Sequence, residues 1–196
     1  MFRAALKSAP SRVDVLTLGP PSELAAVLLH GGPALSAKIR SVTMMGGAVG
    51  VPGNISLPPT IKNPHAEWNF YVDPTAANVV FRSGLPITLV PLDATNDVPL
   101  NAAVAARLGR SPSAAFVRRL IKLFPPAFEL YFWDQLAAAV LVEPTIGRYA
   151  NKRLAVIERE GPESGRTVQA ADGARVRVTI AADRGRFERS FTATLR

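Results

Sequence analysis

Cysteine is absent from this 196-residue sequence, which excludes a disulfide framework and any thiolate metal site. Histidine is scarce: His30 and His65 are the only imidazoles, so a metal bound here would be held by oxygen. No apolar run is long enough to cross a bilayer. The opening residues 1–7 are basic but carry no apolar stretch of signal-peptide length. A cytoplasmic protein with no membrane partner is therefore expected. Acidic residues are also few, 15 against 23 Lys and Arg, for a net charge of +8. The basic residues are scattered, as at Arg3, Lys7, Arg118, Arg119 and Lys122, and after residue 151 they interleave with Glu158, Glu160 and Asp183. A nucleic-acid partner would want one contiguous basic face with aromatic interleaving, so none is expected.

What is present suits one globular domain: 48% of residues are hydrophobic, enough for a real core at this length. β-rich runs at 13–18 and 39–45 alternate with a helical pattern at 22–30, and the second run ends in a Gly-rich loop, 46–54. A long irregular segment follows through Pro58, Pro59 and Pro64. Asp73-Pro74 then reads as a helix start, Asp as N-cap and Pro at the first helical position. An apolar strand at 85–92 stops at Asp93. Helices are expected at 98–108, 112–124 and 135–142, the last two closed by Pro125 and Pro144. After Asn151 the texture changes to alternating strands at 154–158, 167–169 and 175–180, then a short helix at 187–195. The expected architecture is α/β, a mostly parallel sheet with helices on both faces. The expected division is an α/β core at 13–150 with an antiparallel appendage at 151–196, forming one domain over 1–196. In such sheets ligands bind beyond the carboxyl ends of the strands, which here carry Leu18, Met45 and Asp93.

The densest set of polar residues lies between Met44 and Asp73. Glu67 and Asn69 are two apart and would face the same way on an extended segment; Asn54 could join them if the loop folds back. Glu accepts from hydroxyls while Asn both donates and accepts, a combination suited to a polyhydroxylated ligand such as ribose. The alternatives are plain: Gly53-Asn54 is a common turn, Glu67 a surface charge, and Asp73 a helix cap.

Met45-Gly46-Gly47, Gly53-Asn54, Glu67-Trp68-Asn69 and Asp73-Pro74-Thr75-Ala76-Ala77 resemble, in order and spacing, the Met-Gly-Gly, Gly-Asn, Glu-Phe-Asn and Asp-Pro-x-Ala-Ala series of inosine-uridine type nucleoside hydrolases. Thr17-Leu18-Gly19-Pro20, Leu92-Asp93-Ala94-Thr95, Trp133-Asp134 and Gly165-Arg166-Thr167-Val168 extend the resemblance from about residue 13 onward. Pro21-Ser22-Glu23 departs from the family's usual Leu-Thr-Asn. The resemblance implies a Rossmann-like nucleoside hydrolase fold and a calcium-dependent N-ribohydrolase acting on a ribonucleoside substrate. It further implies Asp134 and the Leu18 backbone carbonyl as calcium ligands, Asn54, Glu67 and Asn69 as ribose contacts, and Met45 as a lining of the sugar pocket. Trp133 would stack the leaving base in place of a protonating His and would favour purines. Asp93 is expected to be structural; the competing reading packs Trp133 with Tyr131 and Phe132 in the core and makes Asp134 an N-cap of the following helix.

The family's opening Asp-x-Asp-x-x-x-Asp-Asp motif has no counterpart: residues 1–12 contain no acidic side chain. Calcium takes about 6 to 8 oxygen ligands, so two are too few. The expectation is an isolated chain that lacks the first strand of the fold and is incomplete or inactive, an edge of its sheet being exposed. It would be a truncated product, one half of a split enzyme completed by another chain, or a noncatalytic ribonucleoside-binding or interaction remnant, with a homo-oligomer or a complementing N-terminal chain as the expected partner.

Overall fold

The computed structural model describes residues 1–55, 61–123 and 130–196. The expected features at Pro58, Pro59, Phe124, Pro125 and Phe128 lie outside the described residues.

Helix α1 (Phe2–Ser8) precedes β1 (Val13–Thr17), α2 (Ser22–His30), a short α3 (Pro33–Ser36) and β2 (Ile39–Met45). Then come α4 (Trp68–Val72), α5 (Pro74–Phe81), β3 (Ile87–Val90), α6 (Leu92–Thr95), α7 (Ala102–Arg107), α8 (Pro112–Leu123) and α9 (Trp133–Val142). A 3-10 turn leads into β4 (Gly147–Val156), β5 (Thr167–Gln169), β6 (Ala174–Ala182) and α10 (Arg184–Thr194).

The strands form one six-stranded sheet in the order β1-β2-β3-β6-β4-β5. The first three pairings, β1 to β2, β2 to β3 and β3 to β6, are parallel; β4 runs antiparallel to both β6 and β5. The antiparallel C-terminal strands are thus present and continue the main sheet, because β6 pairs with β3 through Thr88 opposite Arg177. β4 begins at Gly147, ahead of the expected change at Asn151, and β1 and β5 are the sheet edges.

Alternation along the strands divides the core in two. Val15, Val42, Met44, Ile87, Leu89, Val176 and Val178 face α2 and α5 and pack with Leu24, Val27, Ala77, Val80 and Phe81. Met45 and Val90 face the other way, toward Leu136, Ala137 and Val140 of α9 and Phe187 of α10. At the amino ends of the strands this second face turns polar, with Ser41, Thr43, Thr88, Arg175 and Arg177 around a cleft. No helix among the described residues is long and apolar enough to cross a membrane.

Several boundaries differ from expectation. Helix α1 carries no strong periodic signal, and Leu6 alone is buried. Helix α7 begins at Ala102 because Asn101 caps it, accepting from the Val104 N–H at 3.2 Å. The segment at 67–72 is helical and not extended: Glu67 is the N-cap of the five-residue α4, too short to leave a periodic pattern.

Asn78, on α5, is buried and spans to the C-terminal strands. Its Nδ2 donates to the Val156 carbonyl and to Glu158 Oε1, both at 2.6 Å, and its Oδ1 accepts from the Val156 N–H at 2.9 Å. Asn78→Ala strands buried backbone groups of β4 and is expected to destabilise the fold by about 2–3 kcal/mol, read as a lower urea midpoint at unchanged slope.

Candidate functional site

β1 and β2 end side by side, Thr17 opposite Met44, so Leu18 and Met45 leave the sheet at the same level. Beyond β2 the chain enters the loop Gly46-Gly47, where Gly47 takes a positive φ of 78°, a conformation that glycine adopts without strain. Phe70 lies beneath this loop: a Cβ on Gly46 would sit 2.5 Å from its ring. Asp93 holds the far side, its carboxylate accepting the N–H groups of Val49 at 2.9 Å and Gly50 at 2.7 Å. That is the structural role expected of it.

The segment after Gly53 does fold back. Gly53 N–H donates to the Pro64 carbonyl and Asn54 N–H to that of Ala66, which carries Asn54 beside the start of α4. Asn54 Oδ1 accepts from the Trp68 N–H at 2.8 Å. Buried Asn63 shapes the return, accepting from His65 and Ala66 N–H groups and donating to the Ser164 carbonyl. In the sequence Asn63 is marked only by the turn signal of Asn63-Pro64.

Glu67 is the centre of the arrangement. It is 2% exposed; Oε2 accepts from Gly47 N–H at 2.9 Å and Phe70 N–H at 3.2 Å, and Oε1 from Asn69 N–H at 2.9 Å. It is neither a surface charge nor on an extended strand. Burial pushes its carboxyl above the ordinary 4.5, opposed by the three backbone N–H groups and assisted by the Asp134 charge. Asn69 Nδ2 donates to the Met45 carbonyl at 3.2 Å and contacts Met45 Sδ at 3.3 Å.

Helix α9 starts two residues before the expected Gln135, so Trp133 and Asp134 form its first turn. Phe132 holds the N-cap position and no side chain caps the helix, which removes the capping role considered for Asp134. Its half-buried carboxyl is raised above 3.8 by desolvation. Trp133 is half-buried against the α9 core cluster, 6.0 Å from the Tyr131 ring, and its Nε1 is buried without a hydrogen-bond partner among the described residues. Phe132 meets Phe187 edge to face and Phe191 at a tilt, within the same core cluster that Trp133 packs against.

The structure therefore brings Met45, Asn54, Glu67 and Asn69 into one hydrogen-bonded constellation, with Asp134 within electrostatic reach. Leu18 stands exposed at the adjacent strand end. Among the described residues no group of three or more His, Asp or Glu could hold a metal ion. One carboxylate and one carbonyl fall short of a calcium shell, so the described donors do not fit calcium by themselves.

The model for the inosine-uridine preferring nucleoside hydrolase family matches residues 1–189. The chain is 36% identical over 126 residues to a pyrimidine-specific ribonucleoside hydrolase of Salmonella arizonae, covering 63% of this chain and 38% of that protein. It superposes on the inosine-uridine preferring nucleoside hydrolase of Bacillus anthracis with a TM-score of 0.84 and 28% identity, over 99% of this chain and 63% of that one. The purine-preferring ribonucleoside hydrolase of Gardnerella vaginalis gives a TM-score of 0.80 at 25% identity, with 99% and 63% covered. The chain thus spans less than two thirds of these relatives, and it belongs to the inosine-uridine preferring nucleoside hydrolase family.

Proposed function

We propose that the constellation around Glu67 is the ribose-binding part of a nucleoside N-ribohydrolase site, one that holds a ribonucleoside for hydrolysis of its N-glycosidic bond. The observation that carries this reading is the set of hydrogen-bonding positions left over. Glu67 Oε1 accepts one N–H and keeps a second lone pair; Asn69 commits its amide hydrogens to Met45 and keeps its Oδ1; Asn54 commits its Oδ1 to Trp68 and keeps its amide hydrogens. Two acceptors and one donor group suit vicinal hydroxyls.

In this reading Met45 lines the sugar pocket and Trp133 offers its ring to the departing base, while positive charge develops on the sugar ring as in glycoside hydrolysis. Burial of the Glu67 charge beside that ring would favour such a transition state. Asp134 and the Leu18 carbonyl are this chain's candidate calcium ligands; since the described donors do not complete a shell, no step is assigned to the metal. The described residues likewise supply no base placed to activate water, so the chain by itself is expected to bind without turning over. The short donor set favours a second reading, a noncatalytic ribonucleoside-binding module.

Calorimetric titration with inosine and uridine, paired with a base-release assay in added calcium, tests the proposal. Saturable binding is expected, weakened about tenfold in Asn54→Ala through loss of a hydrogen-bonded contact, with base release at background. Absence of binding would overturn the assignment of the site. Release that disappears in Asp134→Ala would overturn the view that this chain is catalytically insufficient.

A further inference from the structure

The face of the sheet that carries α9 opens, at the amino ends of its parallel strands, into a cleft of about 420 Å³. It lies at the opposite end of β2 from Met45 and so is separate from the site around Glu67. Its floor is a row of polar residues in register: Thr43 opposite Thr88, Thr88 opposite Arg177, and Arg177 opposite Asn151. Arg175 stands two positions before Arg177 on the same face of β6, and the end of α9 and the turn entering β3 wall the cleft on two sides.

This lining is the reverse of what a packed helix needs. Further along the same face the residues are Met45 and Val90 against Leu136 and Val140, whereas here hydroxyls, an amide and two guanidinium groups point away from the sheet. Among the described residues no acidic side chain lines the cleft. Asp172 lines an adjoining pocket with Arg175, and Asp14, one strand away, accepts from Ser41 Oγ at 2.7 Å and pairs with Arg40 at 3.2 Å. Arg175 and Arg177 have no carboxylate partner among the described residues.

One guanidinium is also held in place. Arg177 Cζ lies 3.5 Å from the centroid of the Tyr149 ring, and the Tyr149 hydroxyl donates to the Pro144 carbonyl at 2.6 Å, which fixes the ring against the end of α9. A stacked guanidinium keeps its edge N–H groups free for an anion and has less freedom to lose on binding. Two neighbouring guanidinium forks suit a dianion, since each can give paired N–H bonds to phosphoryl oxygens. The flanking hydroxyls and the Asn151 amide suit a hydroxylated remainder, and the bounded shape fits a small molecule and not a polymer, which needs an extended basic track.

We propose that this cleft binds a small phosphate monoester, with Arg175 and Arg177 on the phosphate and Thr88 and Asn151 on the attached polyol. The proposal does not depend on the reading of the ribose site. Titration of the chain with ribose 5-phosphate, inorganic phosphate and ribose tests it, with Arg177→Gln, Arg175→Gln/Arg177→Gln and the charge-preserving Arg177→Lys beside the wild type. Circular dichroism and melting temperature verify the fold of each variant. Ribose 5-phosphate is expected to saturate one site. Affinity should fall about tenfold in Arg177→Gln and further in the double variant, and to an intermediate extent in Arg177→Lys, which keeps the charge but not the fork. Ribose should show none of this dependence on the two arginines. Binding that is absent, or equal in the folded double variant, would overturn the proposal. So would a single-stranded oligonucleotide that displaces the monoester at lower concentration, which would mark the cleft as part of a nucleic-acid surface.

Discussion

Glu67→Ala is expected to lower the unfolding free energy by about 3–5 kcal/mol, because it removes one acceptor that serves three buried donors. Gly47, Asn69 and Phe70 all direct their N–H groups at this carboxylate, and the residue is 2% exposed. Glu67→Gln keeps the shape but turns an amide NH2 toward some of the same N–H groups, so it should cost less than Ala and more than nothing. The wild type and the Gln variant separate by pH. Burial raises the Glu67 carboxyl above 4.5, so between 4.5 and its folded value the native state binds more proton than the unfolded chain. The resulting contribution is fully present below 4.5 and is lost as pH rises through the folded value. Glu67→Gln lacks this contribution, and its deficit relative to the wild type should therefore shrink as pH increases. Glu188, whose carboxyl burial would raise but Arg184 and Arg107 hold low, acts alike in both proteins and cancels in the difference; Asp134, whose charge helps raise the Glu67 carboxyl, belongs to the same pH-dependent difference. Urea unfolding of wild type and variants from pH 4.5 to 8 measures both quantities. A loss below about 1 kcal/mol in Glu67→Ala would show that the loop amides find other partners.

Phe70→Ala should be of similar size, about 3–5 kcal/mol, from lost burial and the cavity left behind. The side chain is wholly buried, meets Phe81 edge to face at 5.6 Å, and carries the Gly46-Gly47 backbone on its ring. Its partner variant is Gly46→Ala, whose added methyl would sit 2.5 Å from the ring and should cost about 1–3 kcal/mol by overpacking. Placed together, the methyl enters the space that the ring vacated. The double variant should then be more stable than the sum of the single effects by about 1–2 kcal/mol, a coupling typical of residues in contact. Strict additivity in chemical denaturation would mean that the loop does not rest on Phe70.

The two predictions concern residues that the sequence disclosed unequally. Val13–Thr17, Ile39–Met45 and Ile87–Val90 were legible because buried parallel strands leave short β-rich runs between turn signals. Asp73-Pro74 was legible because it combines a cap with a residue that only a first turn tolerates; Asp73 indeed accepts from the Ala76 N–H. Glu67 and Asn69 do lie together, but through a helix cap and not through strand alternation. Their contacts with Gly47 and Met45 are long-range and leave no local pattern. Asn63 and Asn78 escaped for the same reason: each acts on backbone distant in sequence. The polar row from Thr43 to Arg177 becomes a surface only once β6 is known to lie beside β3.

That placement of β6 also bears on how the protein is made. The inner strand β3 receives its second neighbour from residues near the end of the chain, so while synthesis is under way its outer edge has no native strand to pair with. Native closure of the sheet waits until β6 has emerged from the ribosome, long after β1, β2 and α5 are free to assemble. A nascent chain stalled before residue 174 should remain protease-sensitive, and one extended beyond α10 should become resistant in a single step.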